Sequence, residues 1–357
     1  MLKIFQNWFE RYFSDEEALL LFFLLIAGLT VVLLLGSILA PLFASIILAY
    51  LMMGLVQWLK RFSVPHLLSV WGIYLVFIGI LGLFILLLLP MVWQQMTRFL
   101  VDLPDMLTKL QHMLMVIPQR YPNLINPEQI DFIMNTAMVE IGNSGQWLVT
   151  LSLASIGQSI TLLFYLILVP ILVFFFLKDN QLLLSWFSQL LPSKRRLLSN
   201  VWLEMDQQIA NYARGKVLEI FIVSITTYIV FLWLNLNYAE LLAFLVGLSV
   251  LVPYVGAVLI TIPVALVGLF QFGWSTEYAT VIIAYFIIQG LDGNVLVPML
   301  FSEAVNLHPV AIIAAILLFG GIWGIWGVFF AIPLATLIKA VMNIWPNKQD
   351  VYHGNLP

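Results

Sequence analysis

Residues 67–90 read LLSVWGIYLVFIGILGLFILLLLP, a stretch without a single charged side chain. An α-helix rises about 1.5 Å per residue, and about 20 apolar residues cross the hydrocarbon core of a bilayer. The stretch is therefore long enough to form one membrane-spanning helix. A strand of a membrane barrel would instead show about 10 residues of alternating polarity, a pattern that this stretch lacks.

Similar apolar runs occur throughout the chain, at residues 19–35, 160–177 and 217–234. Of the 357 residues, 62% are hydrophobic and 9% are charged, whereas a soluble domain carries about 25% charged residues. The chain therefore lacks the polar surface that a water-soluble protein needs. We predict an all-α polytopic membrane protein with about eight hydrophobic segments.

The distribution of polar residues predicts six parts along the chain. In order they are residues 1–92 (an N-terminal interfacial helix and three spans, with a break near Pro41), 93–150 (an extracytoplasmic helical insert), 151–177 (a fourth span), 178–215 (cytoplasmic amphipathic helices), 216–341 (the C-terminal spans) and 342–357 (a cytoplasmic tail). Basic residues mark the cytoplasmic side of a membrane protein. Lys60, Arg61 and the basic residues at 194–196 therefore predict a multi-pass protein of the bacterial inner membrane with both termini in the cytoplasm.

Two apolar runs in the second half are interrupted by glycine or proline. Residues 241–270 contain Pro253, Gly256 and the motif IPVA, and residues 310–341 contain Gly324, Gly327 and the motif IPLA. Each run is either a long kinked span or a re-entrant hairpin that enters and leaves on one face, and we favour the hairpin. Backbone groups freed at such breaks must face protein or a watery cavity, and paired interrupted segments mark the substrate path of many transporters.

Two polar clusters fall where the membrane makes them costly. Segment 211–219, NYARGKVLE, contains Arg214 and also Glu219, which follows Lys216 by three residues. These residues either anchor a helix end and form a local ion pair, or provide a half-buried proton or cation site. Segment 289–298, QGLDGNVLVP, places Gln289 and Asp292 on one helical face, with Asn294 close by.

Asp292 is the strongest single candidate for a functional residue. A carboxylate inside a span costs about 2.5–3.5 kcal/mol on insertion scales, so it usually faces a cavity or a partner. Gly290, Gly293 and Pro298 would loosen the helix beside it and free carbonyl groups for a cation. The alternative is that the helix ends near Gly293 and leaves Asp292 in a wet turn.

The remaining motifs exclude several classes of protein. Glu303 and His308 in SEAVNLHP can relay protons, or they belong to an ordinary solvated loop. The chain contains no P-loop motif, no HExxH and no cysteine, so we predict no enzyme, no bound metal and no cofactor. The sequence contains no block of basic residues with interleaved aromatic residues, so it gives no support for nucleic acid as a partner. Transport would then draw on a gradient of H⁺ or Na⁺, or on the gradient of the solute itself.

These segments resemble the autoinducer-2 exporter family of permeases, and its PerM branch closely. The matching stretches, in the expected order, are residues 39–43, 211–218, 251–256, 289–298, 301–309 and 320–339. The resemblance implies a multi-span inner-membrane protein that forms oligomers; members are linked to autoinducer-2 export and others to sodium/proton antiport. It also places Asp292 and Asn294 where many members have an acidic–Asn pair. This chain has Met299 and Glu303 where basic residues and glycine are common in the family.

We therefore predict a secondary transporter that exports a small polar solute, such as autoinducer-2, on an ion gradient. The alternatives are a sodium/proton-type cation antiporter and a non-transporting membrane scaffold. The predicted pathway residues are Asp292, Asn294, Gln289, Glu219, Arg214, Glu303, Pro253, Gly256, Gly324 and Gly327. The predicted partners are the lipid bilayer, a small-molecule or ion substrate, and further copies of the chain in a homo-oligomer.

Overall fold

The structure is a computed structural model that describes residues 16–115, 127–189, 191, 195–301 and 307–344. Over these residues the chain forms helices joined by short turns, and none of them forms a strand. Within the same residues, five helices are long and apolar enough to cross a membrane, or six if one bent helix pair is counted as a single span. The predicted all-α polytopic membrane fold is confirmed.

The helices follow one another in a simple order along the chain. They are α1 (Glu16–Lys60), α2 (His66–Leu83), α3 (Leu89–Leu114), α4 (Pro127–Lys178), α5 (Asn180–Gln189), α6 (Arg196–Trp233), α7 (Ala239–Ser249), α8 (Val255–Phe272), α9 (Thr276–Leu291), α10 (Val297–Phe301) and α11 (Pro309–Ile344). Two π-helical turns, Phe84–Leu88 and Asp292–Leu296, connect α2 to α3 and α9 to α10 without ending the helical path.

Helix α1 continues through Pro41, where the sequence predicts a break between two spans. Proline removes one backbone donor and bends a helix, but membrane helices tolerate it because neighbouring groups satisfy the freed carbonyl groups. The helical hydrogen bonding therefore continues past Pro41, and the division of this region into two spans stays a prediction.

The predicted insert at 93–150 is continuous with the spans on either side of it. Residues 66–114 form one helical path through the first π turn, and α4 crosses residue 150 without interruption. The side chain of Gln111 donates to Asp131 at 2.8 Å and joins α3 to α4. A helix that leaves the bilayer can continue into water when its apolar side chains stay packed against other helices. The chain therefore needs no break at the membrane boundary.

The chain divides into two compact units, and each is described here by itself. Unit 1 comprises Met1–Tyr74, Ile167–Gly215 and Leu300–Pro357, and unit 2 comprises Leu75–Leu166 and Lys216–Met299. The core of unit 2 is an apolar cluster that includes Phe231, Leu242, Val264 and Tyr285. A smaller apolar cluster in unit 1 contains Leu21, Val201, Met205 and Ala340.

In unit 2 the first interrupted run forms a hairpin of α7 and α8. The amide side chain of Gln271, at the end of α8, bonds to Asn235 and Asn237 just before α7, both at 2.7 Å. The chain therefore enters and leaves the hairpin at the same end. At the tip, a Cβ added to Gly256 would lie 1.9 Å from the Ser249 carbonyl oxygen, so only glycine permits this close approach of the two arms.

In unit 1 the second interrupted run, α11, bends back on itself in the same way. Gly324 has a non-helical backbone, with φ 60° and ψ −138°. A Cβ added to Gly327 would lie 1.8 Å from the Phe319 carbonyl oxygen. Residues eight positions apart on a straight helix would be separated by about 12 Å. This run is therefore a second hairpin, with arms Pro309–Gly324 and Gly327–Asn343.

Candidate functional site

A buried ion pair lies on α6 in unit 2. The Lys216 ammonium donates to Glu219 Oε2 at 2.7 Å, and the side chains of the two residues are 6% and 2% exposed. The spacing of three residues brings them to one face of the helix. A charge pair with so little access to water is stable only when its hydrogen-bonding groups are satisfied within the protein.

Lys216 also connects α6 to the tip of the α7–α8 hairpin. Its ammonium donates to the Val250 carbonyl oxygen at 2.7 Å, and Val250 is the C-cap residue of α7. The carbonyl groups at a helix C-terminus carry partial negative charge and lack intrahelical partners, so a cation stabilises them. The hairpin tip therefore depends on an ammonium group that Glu219 holds in place.

Asp292 completes this cluster from α9. It is the first residue of the second π turn, and its charge interacts with those of Lys216 and Glu219. Its Oδ1 atom is buried and has no hydrogen-bond partner among the described residues. Together the two carboxylates and the ammonium carry a formal charge of about −1, which an apolar environment disfavours unless a proton or cation neutralises it.

The π turn follows from the local sequence. Gly290 and Gly293 weaken the α-helical preference on either side of Asp292. The Asn294 side-chain amide donates to the Gly290 carbonyl oxygen at 2.8 Å. It thus provides a hydrogen-bond donor to a carbonyl group of the preceding turn. The helix does not end at Gly293, as the alternative interpretation required, but continues to Phe301.

A second polar network ties α9 to the returning arm of the hairpin. The Tyr285 hydroxyl donates to the Ala257 carbonyl oxygen at 3.0 Å and accepts from the Gln289 amide at 3.2 Å. The Thr261 hydroxyl lies 3.2 Å from the Tyr285 hydroxyl oxygen. Because Tyr285 is fully buried, these bonds hold the first turns of α8 against the helix that carries Asp292.

The structure brings together six of the ten predicted pathway residues in unit 2. Glu219 binds Lys216, and the charge of Asp292 interacts with that of Lys216. Gln289 joins the network of Tyr285, Pro253 and Gly256 form the hairpin tip, and Asn294 lies exposed on the π turn.

Of the other four predicted residues, three lie in unit 1. Arg214 belongs to unit 1, where its guanidinium packs on Gly54 so closely that an added Cβ would lie 2.9 Å away. Gly324 and Gly327 form the hairpin turn of unit 1. Glu303 lies outside the described residues.

The sequence did not identify the roles of two residues of the site, Lys216 and Tyr285. Lys216 was considered only as a local partner of Glu219, although it is the group that reaches the hairpin. Tyr285 lies four residues before Gln289, and this spacing is the one signal that could have revealed it. Nothing in the sequence indicated that Ala257 and Thr261 would face it. Among the described residues, no group of three or more His, Cys, Asp or Glu could hold a metal ion.

Comparison with known proteins identifies relatives over nearly the whole chain. It is 48% identical to the Escherichia coli K12 protein described as "Putative permease PerM", over 98% of this chain and 99% of that protein. It is 27% identical to "Putative transport protein YueF" of Bacillus subtilis, over 84% of this chain and 82% of that protein. It is also 21% identical to "AI-2 transport protein TqsA" of Escherichia coli K12, over 91% and 92%.

A family model described as "AI-2E family transporter" matches residues 21–347. The predicted family is therefore confirmed, as is the prediction of a transport protein rather than an enzyme. Together with its membrane-crossing helices, this match shows that the chain belongs to the AI-2E family of transporters.

Proposed function

We propose that this transporter exports a small polar solute of the autoinducer-2 type and draws its energy from a gradient of H⁺ or Na⁺. The driving ion would bind at the cluster of Lys216, Glu219 and Asp292. The observation that carries the proposal is the buried Oδ1 of Asp292, which has no hydrogen-bond partner among the described residues, on a residue whose charge interacts with a buried ion pair. A proton or a monovalent cation at this carboxylate would neutralise the cluster.

Ion binding would act on the hairpin through Lys216. The ammonium divides its hydrogen bonds between Glu219 and the Val250 carbonyl oxygen. A proton or cation bound at Asp292 or Glu219 changes the electrostatic field at the Lys216 ammonium. It therefore weakens or strengthens the hydrogen bond from this ammonium to the Val250 carbonyl oxygen. Because a ligand shifts a conformational equilibrium only by its differential affinity for the two states, the ion must favour one position of Lys216.

The substrate would pass where the hairpin tip moves. Pro253 and Gly256 form this tip, and the backbone groups freed by such a break require polar surroundings. The TqsA relative is described as an AI-2 transport protein, which supports a substrate of the same chemical class. The two hairpins, one in each unit, agree with the paired interrupted segments of many secondary transporters.

The test uses purified protein in liposomes with labelled autoinducer-2 and an imposed gradient of either H⁺ or Na⁺. We expect uphill movement with one gradient, and its loss in Asp292→Asn. Glu277→Gln is the matched control, because it removes an exposed carboxylate at the other end of the same helix and should leave transport unchanged. Transport that survives in Asp292→Asn would overturn the assignment of the ion site.

Cation exchange is the second candidate function. The formal charge of about −1 on the cluster is also what a sodium/proton-type antiporter needs at a site that two cations occupy in turn. The same liposomes, loaded with a pH-sensitive dye and no autoinducer-2, would show proton movement on addition of Na⁺. A scaffold without transport would give no flux of either kind and would co-purify tightly with a partner.

Orientation and assembly form the last part of this proposal. We expect the Lys60–Arg61 turn and both termini in the cytoplasm of the bacterial cell and the chain in the inner membrane. Because the chain has no cysteine, single cysteines at exposed turns, labelled from outside intact spheroplasts, test this topology. Mass measurement of the detergent-solubilised protein tests the predicted homo-oligomer.

A further inference from the structure

Helix α5 (Asn180–Gln189) has an unusual place in unit 1. None of its residues is buried, and four large apolar side chains are more than half exposed: Leu182 at 69%, Leu184 at 53%, Trp186 at 54% and Phe187 at 57%. Within the described residues, nothing covers this apolar surface. In water such a surface would be costly, so its surroundings must be apolar.

The direction and the length of α5 argue against a helix that crosses the membrane. Its axis is bent by 80° from the membrane-crossing helix Leu162–Lys178 that precedes it. With 10 residues it is about 15 Å long, half of a hydrocarbon core. Charged residues lie at both ends, Lys178 and Asp179 before it and Arg195 and Arg196 after it. Both ends therefore remain at one surface of the bilayer.

The sequence of α5 separates into two faces. Leu182, Leu183, Trp186 and Phe187 follow the spacing i, i+1, i+4 and i+5, which forms one apolar face on a helix, and Leu184 lies at the border of this face. Gln181, Ser185, Ser188 and Gln189 occupy the opposite face. A helix of this kind lies in the plane of the interface, with its apolar face among acyl chains and its polar face towards water.

The turn between α1 and α2 lies at the same level. His66 Nε2 is 3.4 Å from the Lys178 carbonyl oxygen, at the start of α5. This turn also carries exposed aromatic residues, Trp58 and Phe62, whose ring centroids are 4.9 Å apart. Aromatic rings collect at membrane interfaces because they combine an apolar body with a polarisable or polar edge. Helix α5 and the turn between α1 and α2 thus both indicate that the membrane interface lies at this position in unit 1.

Among the described residues, the charges around this level are predominantly positive. The basic ones are Lys60, Arg61, Lys178, Arg195 and Arg196. The acidic ones in the same part of the structure are Asp179, which lies 4.0 Å from Lys178, and Glu17, which accepts from the Leu197 amide at 2.9 Å. Arg195 donates to the Ser188 carbonyl oxygen and closes the C-terminal end of α5. The excess of positive charge matches anionic phospholipid headgroups.

We propose that α5 is an in-plane lipid-binding helix. Its apolar face lies among the acyl chains of the leaflet that faces Lys178, and Arg195 and Arg196 bind the phosphates of anionic phospholipid headgroups beside its C-terminal end. This surface is independent of the ion site proposed above, so either can fail without the other.

Single cysteines on the two faces of α5 test this proposal in the full-length, naturally cysteine-free chain. Leu182→Cys and Ser188→Cys, which lie about 120° apart around the helix, are each spin-labelled and placed in phosphatidylcholine vesicles with a minority of phosphatidylglycerol. Accessibility to oxygen reports the hydrocarbon, and accessibility to a water-soluble nickel chelate reports water. We expect a several-fold higher oxygen-to-nickel ratio at position 182. Phe187→Cys and Gln181→Cys repeat the comparison if one variant fails to fold.

Three outcomes would overturn the proposal. Equal, nickel-accessible labels on both faces would place α5 in water. A label at position 182 that neither reagent reaches would show that a protein surface covers the helix instead of lipid. For the headgroup contact, Arg196→Gln should lower the ratio at position 182 in vesicles that contain phosphatidylglycerol, whereas Arg98→Gln on α3 should not. An unchanged ratio in Arg196→Gln would remove anionic headgroups as the ligand.

Discussion

Replacing Lys216 with methionine removes the ammonium group but keeps most of the side-chain volume. Glu219, 2% exposed, then keeps its carboxylate in a place without water or a cation, and the Val250 carbonyl oxygen loses its donor. Breaking one side of a buried ion pair costs about 3–5 kcal/mol, a total that includes the lost charged hydrogen bond. We therefore expect Lys216→Met to lower the free energy of unfolding by about 3–5 kcal/mol, at least a hundredfold in the folded-to-unfolded ratio.

The double variant Lys216→Met/Glu219→Leu separates the pair from its surroundings. Replacing both charges with apolar groups of similar volume is often close to neutral, so the double variant should lie within about 1 kcal/mol of the wild type. The difference between this value and the sum of the single variants is the coupling energy of the pair.

The measurement is an SDS titration in mixed micelles, with helicity followed by circular dichroism. Lys109→Met is the matched control, since Lys109 also donates to a backbone carbonyl at 2.7 Å but is exposed to solvent. Its loss should cost no more than about 1 kcal/mol. A Lys216→Met variant as stable as this control, or a double variant that costs the sum of the two single variants, would refute the reasoning.

Three further predictions concern the hairpin and its outer end. Gly256→Ala should lower the thermal unfolding midpoint, because its Cβ would lie 1.9 Å from a carbonyl oxygen of the opposite arm, whereas Gly79→Ala, with nothing within 4 Å, should not. Tyr285→Phe should cost about 0.5–1.5 kcal/mol in the same titration, since it removes the hydroxyl that donates to the Ala257 carbonyl oxygen and accepts from the Gln289 amide, and exposed Tyr254→Phe should cost almost nothing. Burial, reinforced by the Asp102 hydrogen bond, raises the pKa of Tyr238 to about 12, so its stabilising contribution is complete below the unfolded pKa of about 10 and is lost as the pH rises through about 12. The unfolding midpoint of the wild type should therefore fall more steeply than that of Tyr238→Phe over this pH range, and parallel curves would contradict this assignment.

Much of the fold follows from patterns that are local in the sequence. Uncharged runs long enough to cross a bilayer predict the spans, because lipid offers no partner to an unpaired backbone group and helices satisfy their own. The glycines at 256 and 327 marked the two interruptions, and the same residues are where the hairpin arms touch. Helix ends were harder to predict, since Pro41 and the boundary at residue 150 lie inside continuous helices.

The candidate site was predicted only in part, for a physical reason. Asp292 and Glu219 were identified because a carboxylate in an apolar run is costly wherever it points. Arg214 met the same criterion, yet it packs on Gly54 in unit 1 and is not part of the cluster in unit 2. Arg214 and Lys216 are two positions apart on a helix that turns by about 100° per residue, so their side chains leave the helix in different directions and meet different surroundings.

The sequence by itself determined that this protein is an all-helical membrane transporter of the AI-2E family, and which few charged residues its apolar runs contain. Both depend on composition and motif order, and neither requires knowledge of how the helices meet. The tertiary structure alone decided that Lys216 connects Glu219 to the Val250 carbonyl oxygen, and that Tyr285 fastens α9 to α8. Lys216 and Val250 are 34 residues apart in the sequence, and Tyr285 and Ala257 are 28 residues apart. A hydrogen bond depends on distance and angle in space, and the packing of the helices, not the local sequence, determines both.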